Sequence, residues 1–226
     1  MHEQKLYPIV ARWLKTTHKC FKVGVNTGLS FSRIDVIGVR DTGGDLSGEI
    51  ETISVEVKRG TEPFATASGQ AFGYNVYANR VYLADYRRNG FSRDELDIAG
   101  HLGIGLIQIK NRACLEVLSS PRYMPIPRLN LLLLEKLCLG KCTFCNSMFE
   151  IGKGKMNLWS KMIRENLPKA ITEKKGLTFW NRELAKRKAL LGVRSGHDEI
   201  TYERRFICPD CITNFFARFD ITKNRK

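Results

Sequence analysis

The chain has 226 residues, 43% of them apolar, with 37 Lys and Arg against 23 Asp and Glu for a net charge of +14. That composition describes a folded chain and excludes disorder along its whole length. The longest apolar run, Leu131-Leu132-Leu133-Leu134, falls far short of the ~20 residues a membrane-spanning helix needs, so no such helix is expected. The N-terminal residues lack the apolar stretch and small-residue cleavage site of a secretory signal, and the expected location is intracellular, cytoplasmic or nucleoid-associated.

In chain order, residues 3–15 place Leu6, Ile9, Val10 and Leu14 at helical spacing. Phe21 to Val25 then reads as a strand closed by Asn26-Thr27-Gly28. Two β-branched runs follow, 34–39 and 53–58, separated by a loop rich in Asp and Gly, and they are expected to pair antiparallel. Thr61 reads as the N-cap of a helix with Pro63 in its first turn, running to about Ala78 and ending at Asn79. A buried strand, Val81 to Ala84, comes next. Ser92 then caps a helix over 93–102 that Gly103 stops, and strands at 104–109 and 114–118 complete the run. The order αβββαβαβ argues for a mixed sheet flanked by helices.

Pro121, Pro125 and Pro127 fall within seven residues and place a domain boundary near 128, followed by a short apolar helix at about 129–139 that Gly140 stops. The charge is uneven across it. Residues 1–128 hold 17 basic and 13 acidic residues, net +4, and residues 129–226 hold 20 and 10, net +10. A polyanion, nucleic acid above all, is the expected partner of the second part, because basic side chains neutralise phosphates and release counterions.

Alternation puts Glu56 and Lys58 on one face of their strand and Val55 and Val57 on the other. Asp35 lies inside the apolar run Ile34-Asp35-Val36-Ile37, where a carboxylate needs a partner. Two carboxylates can hold Mg²⁺ or Mn²⁺, and a neighbouring Lys can stabilise a phosphoryl transition state or orient a water. An edge-strand charge pattern with Asp35 in an ordinary salt bridge explains the same residues. Gln70 and Tyr74, at i and i+4 on the next helix, share one of its faces. Either they support the carboxylates or Tyr74 packs in the core and Gln70 is solvated.

Together, Asp35 in Arg33-Ile34-Asp35-Val36, Glu56-Val57-Lys58 and a RecB-like Gln-x-x-x-Tyr box at Gln70 and Tyr74 resemble the PD-(D/E)XK nuclease superfamily. The resemblance covers about residues 1–120, with Ile34 standing where the superfamily's name has Pro. It implies a restriction-endonuclease-like α/β fold with an αβββαβ core and metal-dependent cleavage of nucleic acid, usually DNA. By that resemblance Asp35 and Glu56 are metal ligands, Lys58 the water-orienting or charge-stabilising group, and Gln70 and Tyr74 supporting residues. Glu3 corresponds to an acidic residue that several families carry on the first helix as a further ligand. A first-turn Glu complementing the helix dipole fits it equally.

Seven cysteines include two Cys-x-x-Cys pairs, Cys142/Cys145 and Cys208/Cys211, the ligand count and spacing of a structural Cys₄ zinc site. An iron–sulfur cluster or a redox pair is the alternative. Met148 to Ile151 after the first pair suggests a hairpin, and the whole resembles a treble-clef zinc finger with a basic helical insertion of 62 residues between Cys145 and Cys208. Cys20, Cys114 and Cys138 suit buried positions. The expected whole is a catalytic domain, 1–128, and a smaller basic zinc domain, 129–226. A non-catalytic zinc-dependent nucleic-acid-binding protein with a degenerate nuclease fold is the rival reading, and a basic zinc-binding assembly factor is a third. Whether two copies pair as a homodimer stays open.

Overall fold

A 3-10 turn, Glu3–Lys5, leads into helix α1, Tyr7–Thr16. Pro8 falls in its first turn, where no backbone donor is needed, and Tyr7, Val10, Trp13 and Leu14 bury one stripe. A computed structural model describes residues 2–29, 32–43, 49–142 and 145–150 of the chain.

Six strands form one sheet in the spatial order of the sequence: β1 (Lys22–Leu29), β2 (Ser32–Asp41), β3 (Ile50–Lys58), β4 (Arg80–Tyr86), β5 (Gly105–Lys110) and β6 (Ala113–Leu118). The pairs β1/β2, β2/β3 and β5/β6 are antiparallel, while β3/β4 and β4/β5 are parallel. Parallel neighbours need a crossover, and α2 (Phe64–Phe72) and α3 (Arg93–Leu102) supply the two. The fold is α/β with a mixed sheet.

The valines expected to face a helix do so. Val55 and Val57 pack with Val36, Ile53 and Tyr82 in a core closed by Leu6, Val10, Trp13 and Leu14 of the N-terminal segment. Alternation sends Glu56 and Lys58 to the opposite face, that of α2 and α3. Cys20 is buried and Cys114 packs against the same core, as their types suggested.

Element ends show where local signals prevail. Ser92 and Glu95 form a reciprocal capping box, with Glu95 N–H donating to the Ser92 hydroxyl at 3.3 Å and Ser92 N–H to the Glu95 carboxylate at 2.7 Å. Gly103, at φ 72°, ends the helix. Thr61 is not an N-cap. Glu62 precedes Pro63 and is kept out of helical conformation by the ring, so α2 starts only at Phe64, and the Thr61 hydroxyl accepts from Arg59 Nε at 3.1 Å. After Phe72 the helix tightens into a 3-10 turn, Gly73–Val76, short of the expected end at Ala78. β1 continues past Asn26, which takes φ 51°, because its ladder with β2 runs on to Leu29↔Ser32.

Helix α4, Pro127–Lys136, begins on the last proline of the cluster, where the missing N–H costs nothing. It ends before Cys138, which takes φ 60°. Asn130 ties α4 down, donating to Thr52 Oγ1 at 2.9 Å and to the Tyr77 carbonyl at 2.7 Å. A Cβ on Gly24 of β1 would collide with Leu137, so the glycine admits the end of this helix. The chain divides into units Met1–Leu139 and Gly140–Lys226, and α4, which opens at the boundary expected near 128, lies with the first. Beyond it, β7 (Leu139–Lys141) and β8 (Met148–Glu150) form the two-stranded hairpin expected around the first cysteine pair.

Candidate functional site

The site lies where two strands part. The β2/β3 ladder runs from Asp41↔Ile50 to Val36↔Val55. Past Val36, β2 stays with β1 as far as Ser32, and past Val55, β3 stays with β4 as far as Lys58. Asp35 stands at this fork, and its Oδ2 accepts the Val57 N–H at 2.9 Å, a donor on the side of β3 that faces the parting strand. Its Oδ1 accepts the Tyr7 hydroxyl at 2.7 Å, and that hydroxyl is also 3.4 Å from Glu3 Oε1. The partner demanded by an acid in an apolar strand is thus a phenol and a peptide N–H.

Glu56, 5% exposed, completes the cluster from β3. Its Oε1 is 2.8 Å from Lys58 Nζ, and its Oε2 accepts the Tyr74 hydroxyl at 2.5 Å. The Tyr74 oxygen also lies 2.8 Å from the Arg33 carbonyl, which anchors the ring to the strand that carries Asp35. Lys58 Nζ has a second carboxylate, Glu62 Oε2, at 2.7 Å.

Two carboxylates, Glu56 and Glu62, thus bond the ammonium, while Glu3 and Asp35 act on this pair through their charge. Burial lifts the Glu56 carboxyl above the ordinary range, the charge of Asp35 adds to this, and Lys58 and Tyr74 oppose it. Burial also raises Glu3, with Lys58 pulling it down and Asp35 pushing it up. Burial disfavours the Lys58 ammonium, but its bonds to Glu56 and Glu62 outweigh that and hold it charged beyond the usual lysine range. Burial and the Asp35 contact raise the Tyr7 phenol, so it is a donor at neutral pH.

Among the described residues no three His, Cys, Asp or Glu side chains converge as a ready ligand set. The donor chemistry nevertheless fits a hard divalent cation. Asp35 and Glu56 present carboxylate oxygens from neighbouring strands; Glu56 is raised first by burial and further by the charge of Asp35, which a cation shared by both would offset.

Of the residues expected at the site, Glu56 bonds Lys58 and Tyr74 directly, Asp35 reaches the same strand through the Val57 N–H and acts on Glu56 through its charge, and Glu3 joins Asp35 through Tyr7. Glu3 sits on the 3-10 turn rather than on α1, and Tyr74 on the 3-10 turn after α2. Tyr74 continues the buried stripe of Ala67 and Ala71, which leaves Gln70 aside. Tyr74 is buried, while Gln70 is exposed on α2 and has no hydrogen bond to the carboxylates among the described residues. Two members escaped the sequence reading, Tyr7 and Glu62. Each stands four residues from a recognised one, Glu3 and Lys58, and that spacing was the available signal.

Cys142 is buried and Cys145 exposed in the turn between β7 and β8. Cys142 N–H donates to the Ser147 carbonyl at 2.8 Å, Asn146 N–H donates to the Cys142 carbonyl at 3.0 Å, and Cys145 Sγ is 2.8 Å from Ser147 Oγ. A tight hairpin turn holding two thiols suits half of a tetrahedral thiolate site. Cys208 and Cys211 lie outside the described residues, as does the basic insertion.

No family model matches the chain, and no curated protein matches it. Among solved structures, a protein of unknown function from Silicibacter pomeroyi is similar, at 21% identity and a TM-score of 0.44, over 61% of this chain and 84% of that one.

Proposed function

We propose that the chain is a metal-dependent nuclease that hydrolyses phosphodiester bonds in nucleic acid, with DNA as its substrate. The observation that carries this reading is the meeting of Asp35 and Glu56 at the fork between β2 and β3, with Lys58 Nζ 2.8 Å from Glu56. A buried Glu56 and a half-buried Asp35 beside a buried ammonium are costly as mere architecture and suit a site that handles a charged substrate.

Asp35 and Glu56 hold a Mg²⁺ or Mn²⁺ ion, with Glu3 as a further oxygen donor. The bound ion supplies Lewis acidity to a phosphoryl oxygen and acidifies a water. Lys58 directs its ammonium at the negative charge that develops on the phosphoryl group or orients the attacking water. Tyr74 fixes the Glu56 carboxylate and Tyr7 that of Asp35, so both ligands are preorganised. Gln70, on the exposed side of α2, is left to contact the substrate.

The second unit supplies grip. Cys142 and Cys145 with Cys208 and Cys211 hold a structural Zn²⁺, and the net +10 of residues 129–226 attracts phosphates without regard to sequence. The fold belongs with the restriction-endonuclease-like group under this reading, with a treble-clef-like zinc domain after it.

The test compares wild type with Lys58→Ala on duplex, single-stranded and branched DNA and on RNA, with Mg²⁺, with Mn²⁺ and with chelator. Cleavage that needs the metal and disappears in a variant that still binds DNA is the expected result. Salt-sensitive binding with no cleavage of any substrate would overturn the catalytic reading and leave a zinc-dependent binding protein.

A further inference from the structure

Beside Lys58 lies a carboxylate with one oxygen unused. Asp85 of β4 is 1% exposed, and its Oδ1 has no hydrogen-bond partner among the described residues. Its Oδ2 takes Arg87 Nε at 2.7 Å. Arg87 is itself immobilised: its Nη1 donates to Glu95 Oε1 at 2.6 Å, and its guanidinium lies over Phe91 at 4.9 Å and Phe64 at 5.9 Å. Asp85 is therefore pinned through one oxygen and presents the other.

The parallel β3/β4 register pairs Lys58 with Asp85, and in-register neighbours project from the same face of a sheet. Both side chains are more than nine-tenths buried. Gly60, at φ +78°, presses the turn after Lys58 against β4, where a Cβ would lie 2.5 Å from the Tyr86 carbonyl oxygen. This end of β3 is thus held against β4. Yet the ammonium points to Glu56 and Glu62, and the nearest carboxylate across the ladder is left with an orphan acceptor, an arrangement that costs free energy in a buried place.

We infer that Asp85 is a positioning residue of this site: its Oδ1 is a second seat for the Lys58 ammonium, taken when Glu56 or Glu62 releases it. The catalytic consequence rests on the nuclease reading, in which Glu56 must turn from Lys58 to a cation. The seat itself does not. With Asp85 behind it, Lys58 stays buried and charged while its first partner is otherwise engaged.

A double-mutant cycle on the full chain tests this. Lys58→Met and Asp85→Asn are combined in the wild-type and Glu62→Gln backgrounds, and urea unfolding is measured. The expected coupling in the Glu62→Gln background is about tenfold in the unfolding equilibrium constant, larger than in wild type. Additivity in the Glu62→Gln background overturns the proposal. So does an equal coupling of Lys58→Met with Glu95→Gln, which disturbs Arg87 without touching the seat. If Asp85→Asn fails to fold, the hydrogen exchange of the Lys58 ammonium in the Glu56→Gln/Glu62→Gln double variant decides: slow exchange supports the seat, and exchange as fast as in free lysine removes it. In cleavage, Asp85→Asn should lower kcat severalfold with KM unchanged, and Asp85→Glu should restore part of it. Because the cycle reads stability, it decides the seat even if the chain cuts nothing.

Discussion

Tyr7 donates its hydroxyl to Asp35 across 28 residues of chain, at 2.7 Å, and so fastens the first helix to the acid at the strand fork. The same hydroxyl stands 3.4 Å from Glu3, which makes Tyr7 the joint between the N-terminal turn and the sheet. Tyr7→Phe keeps the ring in its buried place and removes only the donor. The expected loss is about 1–2 kcal/mol in urea unfolding, with weaker Mg²⁺ retention and a lower kcat, because Asp35 loses the bond that orients it. Unchanged stability and unchanged metal titration would reduce Tyr7 to a packing residue.

At the other end of β3, Glu51 is 1% exposed and ringed by guanidiniums: Arg40 Nε at 2.7 Å, Arg80 Nε at 3.0 Å and Arg122 Nε at 3.7 Å. Burial opposes its charge, but the hydrogen bonds from Arg80 and Arg40 prevail and hold its carboxyl below the usual 4.5. A depressed carboxyl contributes stability that is fully present above the unfolded value and is lost as pH falls through the lowered one. The acid limb of unfolding below about pH 4.5 should therefore be shallower in Glu51→Gln. At neutral pH the same variant should lose about 2 kcal/mol, because the partly exposed guanidiniums of Arg40 and Arg80 lose their charged acceptor. Wild-type-like denaturation curves at pH 7 and pH 4 would show that the ring adds nothing.

In the capping box of α3, Glu95 reaches Arg87, but the Ser92 side chain bonds only the Glu95 N–H. Ser92→Ala should lower the unfolding free energy by about 1 kcal/mol and leave cleavage per folded molecule untouched. A large fall in kcat without a fall in stability would mean that α3 carries part of the site.

Zinc content tests the second unit. The purified chain should carry zinc by elemental analysis, and Cys142→Ser or Cys145→Ser should lower its retention during dialysis against chelator. Loss of zinc should weaken DNA binding and flatten its dependence on salt, because the basic region loses its scaffold. Full zinc retention in both variants would remove these thiols from the ligand set.

Much of this molecule is written locally. The two-residue alternation of Glu56-Val57-Lys58 is enough to put an acid and a base on one face and valines on the other. Ser92, Glu95 and Gly103 mark both ends of α3 within a few residues of the groups they satisfy. The order of elements, and hence the mixed sheet, follows from such signals. The fork at Asp35 does not, because it depends on where the β2/β3 ladder stops while β2 stays with β1 and β3 with β4, which no single segment encodes. The contact of Tyr7 with Asp35, the register of Lys58 with Asp85 and the gathering of three arginines on Glu51 likewise join residues that are distant in the chain. That Tyr74 continues the buried stripe of Ala67 and Ala71 while Gln70 stays outside is decided by which face of α2 packs on the sheet. Alternation and caps act over two to four residues and are legible in the sequence. Which strand keeps its partner, and which oxygen is left without a donor, is settled only when the sheet closes.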